Sequence, residues 1–545
     1  MRRRDLSKII LACPAGLALR PQYAYAEGAA PRSDARTPAE VKAGVAPTNA
    51  EYPPGDVRRY GAKGDGVTND APAFQSALDV ARIAGGEKVY TPVGAGGAVH
   101  IPAPDVFYLL TNALDCTFAG RENQHGITIR GEAGPSTDTP AIIARHNGHV
   151  FDLTGCDGAV LEDLNIGTDA STNPETCFFL ARNSFGGSAG YHRFRNVRVH
   201  GKFKTAILYN YGSESNVLSE CVWCNESAAA GTKVAVFSSH NIVGLTSAFG
   251  AIAKGGRSCL DHQIFGGAFI NTSGDAAADV LYLDAANSLK IFGPWMAAGV
   301  HSNGRALIYV DSTNGASSLG EVYGLQGEVG STQKYGFYFD GQSVSIPTGW
   351  TIDGCYLPNA KNAIFAAPNT TLDNFHIRNV LELASHGLSA AGVVQNSTIS
   401  SGALLLAIGK SRRNALIGDS SRWTIGSRDH DSWMDSGAAN KTWNPGTGNL
   451  TVRGRLTVDD ASCVFHGPLV TVCTTLTATT SIECAAGVTL TGLPAAASAR
   501  SALVNVSDAR TGTSLGSGMV SGLAITLPAI SATPSIVISA SYFSA

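Results

Sequence analysis

Apolar and polar residues alternate in Val280-Leu281-Tyr282-Leu283-Asp284, and the pattern returns as Leu307-Ile308-Tyr309-Val310-Asp311 and as Phe337-Tyr338-Phe339-Asp340. The Tyr-x-Asp unit steps by 27 and then 29 residues. In an extended strand the side chains alternate, so each Tyr shares one face with its Asp, and the apolar residues flanking the Tyr share the other. One face is predicted to be core, the other exposed. A strand recurring at this interval predicts one strand per turn of a coil.

A second column interleaves with the first. It reads Leu161-Glu-Asp163-Leu-Asn-Ile166, Phe194-Arg-Asn196-Val-Arg-Val199 and Leu218-Ser-Glu220-Cys-Val-Trp223, and it returns around Glu321, Asp353, Asn374 and Asn396. Each copy places a polar residue between two short apolar-alternating runs, as a corner between two strands requires. Asn and Asp tolerate left-handed backbone there, so Asp163, Glu220, Asp353, Asn374 and Asn396 are expected as corners and carry no predicted chemistry. Phe151-Asp152 and Tyr209-Asn210 extend the first column toward the amino end. Strand, turn, strand, corner, strand makes one turn of a three-sheet parallel β-helix, a solenoid in which each rung covers its neighbours.

The rungs are preceded by a distinctive opening. Residues 27–50, rich in Ala, Pro and charge, read as a linker. Asp56-Val57-Arg58-Arg59-Tyr60 reads as a short strand, followed by the Gly-studded loop Gly61-Ala62-Lys63-Gly64-Asp65-Gly66. Asp70 is expected to cap a helix that starts at Ala71-Pro72, buries Phe74, Leu78 and Val80-Ala81, and stops at Gly85-Gly86. Gly96-Gly97-Ala98-Val99-His100-Ile101-Pro102 then reads as a strand. A phosphate-binding loop, and with it a nucleotide-dependent enzyme, is the competing reading of Gly61 to Gly66, but no Gly-Lys-Ser/Thr follows.

This run resembles the opening of the pectate lyase superfamily domain, the right-handed parallel β-helix group that includes relatives of the family 28 glycoside hydrolases, the polygalacturonases. Those proteins start with a similar Tyr-Gly-Ala-x-Gly-Asp-Gly-x-x-Asp-Asp run, a helix and a Gly-Gly-x-Val-x-x-Pro strand. The match covers Asp56 to Pro102, with rung-like pattern to about Ile425. The resemblance implies an all-β fold, a right-handed parallel β-helix with an N-terminal capping helix. It does not carry a reaction. The family 28 motifs Asn-Thr-Asp, Asp-Asp, Gly-His-Gly and Arg-Ile-Lys are not intact, Asn271-Thr272-Ser273 lacks the aspartate, and the Arg-x-Pro-x-x-Arg run of pectate lyases is missing.

After about residue 426 the character changes to Val and Leu scattered among Thr, Gly and Ala, and from Cys463 to Ala545 the charged residues are few. So little charge on a small β-domain suggests that residues 427–545 meet copies of themselves, a homotrimer similar in composition to the distal parts of phage tailspikes. The β-helix itself is expected over 51–426.

Composition narrows the function. The 545 residues include 62 Gly and only 15% charged residues, which suits frequent turns and short strands, and the net charge of −3 provides no field for nucleic acid. No run approaches the roughly 18 apolar residues of a membrane span. Residues 1–26, with Arg2-Arg3-Arg4-Asp5-Leu6, an apolar run and Ala24-Tyr25-Ala26, read as an export signal resembling the twin-arginine type, so a periplasmic or extracellular location is expected. An ordinary secretory signal is the alternative. Removing Cys13 leaves ten of the eleven cysteines, with connectivity open; Cys221-Val-Trp-Cys224 is read as packing or a disulfide.

The chemistry expected of such a protein is carbohydrate chemistry on the Tyr/Asp face. Stacked strands lie about 4.8 Å apart, so Asp284, Asp311 and Asp340 are candidate catalytic carboxylates at the ~5 Å spacing of retaining or the wider spacing of inverting glycosidases. Tyr282, Tyr309 and Tyr338 are candidate substrate-binding residues, offering flat faces to sugar rings. Ordinary turn residues and an aromatic stack are the competing reading. Asp261 and His262 form a second candidate acid and base pair, and Asp275 and the metal-binding pair His146 and His149 are weaker candidates. No cofactor is implied by motif, although a lyase would call for Ca²⁺. The predicted function is a polysaccharide-binding and polysaccharide-cleaving β-helix, hydrolase or lyase; the alternative is a non-catalytic, tailspike-like or adhesive trimer that binds surface glycans.

Overall fold

The computed structural model describes residues 36–400, apart from 85–96, 118–123, 133–138, 186–188, 255–258, 299–303, 330–334, 342–345, 381–386 and the single residues 274, 359 and 369. Beyond residue 400 it describes mainly the backbone of the strands, with side chains at 503–520, 527–531 and 536–539. The export signal, Cys13 and the Gly85-Gly86 stop lie outside the described residues.

Every strand pair formed within residues 65–436 is parallel, and the strands collect into three long sheets. One rung shows the plan. Val160–Glu162 lies in the first sheet, Asp163 turns the corner, Asn165–Thr168 lies in the second sheet, and Thr176–Ala181 lies in the third. The chain then enters the next rung at Arg193–Arg195, which pairs with Val160–Glu162. The molecule is a right-handed parallel β-helix.

The corner column does what its residue types allow. Asp163, Asn196, Glu220, Asn374 and Asn396 have φ between 50° and 56°, while on intervening rungs Gly266, Gly293, Gly324 and Gly354 take the same role with φ of 58° to 66°. Left-handed backbone costs a non-Gly residue about 1–2 kcal/mol. Part of this is offset by an amide ladder between rungs, in which Asn196 Nδ2 donates to Asp163 Oδ1 at 2.8 Å and Asn396 Nδ2 to Asp373 Oδ1 at 2.7 Å. Asp353 is displaced by one position, because Gly354 makes the turn and the Asp353 carboxylate accepts from Asn379 instead.

The inward faces form one continuous core. Leu281, Leu283, Ile308, Val310, Phe337 and Phe339 are all fully buried, each worth about 1.5–3 kcal/mol of burial. Among the described residues the second sheet has its last strand at Gln326–Val329, beyond which a bridge to Tyr356 continues it. From Trp433–Ser436 onward the pairing turns antiparallel, and Leu469–Cys484 runs beside Ile530–Phe543.

The opening departs from its sequence reading in three places. Val57–Tyr60 is a turn of 3₁₀-helix, where a strand is expected, because the Asp56 side chain accepts from Arg58 N and caps it. The helix Ala71–Ala84 buries Phe74, Leu78, Val80 and Ala81 against the first strands, but Asp70 does not cap it with its side chain. The Asp70 carboxylate instead accepts from the backbone N–H groups of Lys63, Gly64 and Leu109, holding the Gly-rich loop, whose Gly61, Gly64 and Gly66 all have φ between 64° and 102°. The expected linker contains the helix Pro38–Ala43, which Thr37 and Glu40 close with a capping box. Glu40 is buried against Arg59 Nε at 2.6 Å and Tyr60 Oη at 3.1 Å, so this segment belongs to the folded body.

Candidate functional site

The three Tyr-x-Asp strands, Asp279–Asp284, Ala306–Asp311 and Tyr335–Asp340, are adjacent in the third sheet. Their register pairs Tyr282 with Tyr309 and Tyr338, and Asp284 with Asp311 and Asp340. The alternation of the strand sends Leu281 and Leu283 inward and leaves Tyr and Asp on the outer face. Each tyrosine reaches forward by one rung: Tyr282 Oη donates to Asp311 Oδ2 at 2.5 Å, and Tyr309 Oη donates to Asp340 Oδ2 at 2.7 Å. Burial, followed by the neighbouring carboxylates, pushes both phenols well above the usual tyrosine range, so they remain protonated donors. At Tyr309 burial is again the largest cause, and Arg305 works against it.

The three aspartates are not equivalent. Asp284 is fully buried and accepts from Ser238 Oγ at 2.6 Å, His240 Nδ1 at 2.9 Å and Asn314 Nδ2 at 3.2 Å. It holds the start of the following turn and the 239–253 segment. Asp311 is half-buried, with Thr313 N donating to Oδ1 at 2.9 Å and Tyr282 to Oδ2. Asp340 is also half-buried, but its Oδ1 has no partner among the described residues.

At the other end of the same strands sits a basic cluster that sequence reading missed. Arg305 makes two hydrogen bonds to Asp279, at 3.0 and 2.7 Å, and its guanidinium carbon lies 3.4 Å from the centre of the Tyr309 ring. Lys233 adds an ion pair to Asp279 at 3.2 Å and lies 5.4 Å from the Tyr282 ring centre. Burial is the main influence on Lys233 and lowers its pKa, against the pull of Asp279. Lys233 and Asp279 are register partners on neighbouring strands, a signal visible once the strands are aligned.

The rings themselves are engaged. Tyr282 and Tyr309 stack at 5.3 Å, Tyr309 and Tyr338 meet tilted at 5.0 Å, and Tyr338 meets Phe365 at 5.0 Å. Flat faces expected to receive sugar rings are thus covered by one another and by Arg305.

Upstream, the same face is covered. Residues 239–253 fold over it, packing Ile242, Leu245 and Ile252 on Phe179, Tyr209, Tyr211 and Val236. Tyr209 Oη donates to Asn241 Oδ1, and Tyr211 Oη donates to the Ala253 carbonyl, both at 3.0 Å. The first column does not extend here as expected. Asp152 stands in register with Phe179 and so with the tyrosines, whereas Asn210 registers with Phe237 and Leu283 and points inward. Tyr-x-Asp therefore spans three rungs.

The remaining candidates are dispersed. Asp261 and His262 do not form a pair: Asp261 is an exposed left-handed turn residue with φ 57°, and His262 is fully buried. Asn216 N donates to His262 Nδ1 at 3.3 Å, which leaves Nε2–H to the Cys259 sulfur at 3.1 Å, and burial lowers the imidazole pKa to about 3. Asp275 accepts from the N–H groups of Gly231 and Ala277 as a turn residue. His149 is buried on Phe179 with both ring nitrogens bonded, to Thr176 and to the Thr246 carbonyl, which removes it as a metal ligand beside His146. Cys221 faces the core and Cys224 the outside, and both are free thiols. Nor do the three aspartates fit Ca²⁺, which needs six to eight converging oxygens: apart from Asp340 Oδ1 their oxygens are already spent on Ser238, His240, Asn314, Thr313 and the tyrosine hydroxyls, and among the described residues they do not cluster as ligands.

No family model matches the chain, and no curated protein matches it. Solved structures that resemble it include PfbA, a surface adhesin of Streptococcus pneumoniae, at 12% identity over 73% of this chain and 96% of that one, with a TM-score of 0.39. The catalytic unit of a GH87 α-1,3-glucanase from Streptomyces thermodiastaticus is 15% identical over 73% of this chain and 66% of that one, with a TM-score of 0.42. The tailspike protein of an Acinetobacter phage is 10% identical over 92% and 88%, with a TM-score of 0.34. At this level of similarity the fold rests on the chain's own strand pairing.

Proposed function

We propose that the protein is an exported polysaccharide-acting β-helix whose chemistry sits at Asp311 and Asp340, with Tyr282, Tyr309 and Tyr338 lining the site. The observation that carries this reading is the register of two half-buried carboxylates on adjacent strands, each held by a tyrosine hydroxyl from the rung before. Neighbouring strands lie about 4.8 Å apart, close to the ~5 Å separation at which one carboxylate attacks the sugar and the other handles the leaving-group proton. Asp311, with a donor on each oxygen, is suited to be the charged partner. Asp340, whose buried Oδ1 has no donor among the described residues, is suited to carry the proton. Asp284 is left out of the reacting pair, since its carboxylate is closed in by Ser238, His240 and Asn314.

Incubation with a panel of neutral and acidic polysaccharides tests the reading through two signals, reducing ends from either reaction and unsaturated products from elimination alone. Reducing ends without unsaturation are expected. No product from any panel member, with binding retained, would favour the second reading.

That second reading is a glycan-binding trimer without turnover. It is supported by the charge-poor carboxyl region, where Leu503 and Met519 are 72% and 50% exposed. Light scattering at micromolar concentration separates a trimer from a monomer. Among the described residues no helix is long and apolar enough to cross a membrane.

A further inference from the structure

On the second sheet, away from the Tyr/Asp face, three ligating side chains of different chemistry meet. His200 and Cys224 are register partners on the strands Arg198–Gly201 and Val222–Asn225, and Glu226 follows at the strand end. Alternation sends Val199 and Trp223 into the core and turns His200 and Cys224 outward. His200 Nε2 lies 3.1 Å from Glu226 Oε1, and the three ligand atoms all lie within 4.8 Å of one another.

The backbone that carries them is pinned. Glu226 N donates to the Gly201 carbonyl at 2.8 Å, which locks Glu226, two residues after Cys224, beside the residue after His200. The intervening Asn225 is fully buried, donating to the Phe203 and Lys233 carbonyls and accepting from Phe203 N. Only the side chains of His200 and Glu226, which are exposed, need to turn.

We propose that His200, Cys224 and Glu226 bind a divalent transition-metal ion, Zn²⁺ by preference. Imidazole nitrogen, thiolate sulfur and carboxylate oxygen form a ligand set that Zn²⁺ takes in tetrahedral geometry. Bond lengths of 2.0–2.3 Å place such donors about 3.4 to 3.6 Å apart, so the observed group closes on an ion by small rotations. Three protein ligands leave the fourth position open toward solvent, the arrangement of Zn²⁺ sites that hold a water molecule. Among the described residues this is the one group of three such ligands. The ion would tie two successive rungs together across the outer face of the second sheet.

Co²⁺ titration of the purified, chelator-treated full chain tests the assignment, because a thiolate bound to cobalt produces a near-ultraviolet charge-transfer band. The expected result is one equivalent of Co²⁺ per chain with that band, displaced by Zn²⁺. Cys224→Ser should abolish the band, and His200→Ala and Glu226→Gln should each weaken binding by at least about 10-fold, all with unchanged far-ultraviolet circular dichroism. If Cys224→Ser fails to fold, the two exposed positions decide. No saturable Co²⁺ or Zn²⁺ binding by the parent protein, a band that survives in Cys224→Ser, or unchanged affinity in both His200→Ala and Glu226→Gln would overturn the proposal.

Discussion

Tyr309 donates its hydroxyl to Asp340, not to Asp311 two residues along its own strand. The same forward reach joins Tyr282 to Asp311. Tyrosine and aspartate are thus coupled between rungs, and each carboxylate depends on the strand before it.

Tyr309→Phe removes a single oxygen and leaves Asp340 Oδ2 without its donor. Leaving a buried acceptor unpaired costs about 1–3 kcal/mol, so chemical denaturation should show a loss in that range. Turnover on any cleaved polysaccharide should fall with it, because Asp340 loses its anchor. Tyr338→Phe is the control for the stability loss alone, since no aspartate follows on the next strand, Asn362–Ala366.

Arg305 neutralises Asp279, which is fully buried, and covers the Tyr309 ring. Arg305→Met leaves Asp279 with Lys233 alone and should destabilise by about 3 kcal/mol. Arg305→Lys is not expected to restore the parent value, because a point charge reproduces neither the two-pronged contact nor the flat stacking. Thermal and denaturant unfolding of the two variants check this.

Glu40 makes an acid-sensitive fastening. Burial opposes its charge, but hydrogen bonds from Arg59, the Thr37 backbone and Tyr60 outweigh that and hold the carboxyl at about 2, below its ordinary 4.5. A depressed carboxyl contributes stability that is present above the unfolded pKa and is lost as pH falls through the folded one. Stability should therefore drop between about pH 4.5 and pH 2, and in Glu40→Gln this part of the pH dependence should disappear while stability at pH 7 falls.

His262 acts over a higher window. Burial holds it neutral with a pKa of about 3 against an ordinary 6.5. The unfolded chain takes up a proton first, so stability is full above 6.5 and declines as pH falls toward 3. His262→Asn should flatten that slope in denaturant midpoints measured between pH 7 and pH 4. An unchanged slope would contradict the neutral, buried assignment.

The rungs were legible in the chain because strand alternation is local. Tyr282, Tyr309 and Tyr338 need only a period of two to share a face, and corners at Asp163, Glu220, Asn374 and Asn396 need only a residue that tolerates left-handed backbone. What spacing does not encode is the register between distant strands. Tyr209-Asn210 looks like another copy of the column, yet the pairing sends Asn210 inward to His262. Asp284 looks equivalent to Asp311 and Asp340, yet Ser238, His240 and Asn314 bury it from other rungs. Asp70 looks like a helix cap, yet the Gly-rich loop folds back and takes its carboxylate. In each case a long-range contact overrides a sound local reading.

Release of reducing ends by the parent protein and by an Asp311→Asn/Asp340→Asn double variant, on a polysaccharide that the parent cleaves, tests the central claim most directly. Loss of the attacking carboxylate and the proton donor together should lower the rate by at least about 10², with the fold intact by circular dichroism. A double variant as active as the parent would remove the chemistry from this face.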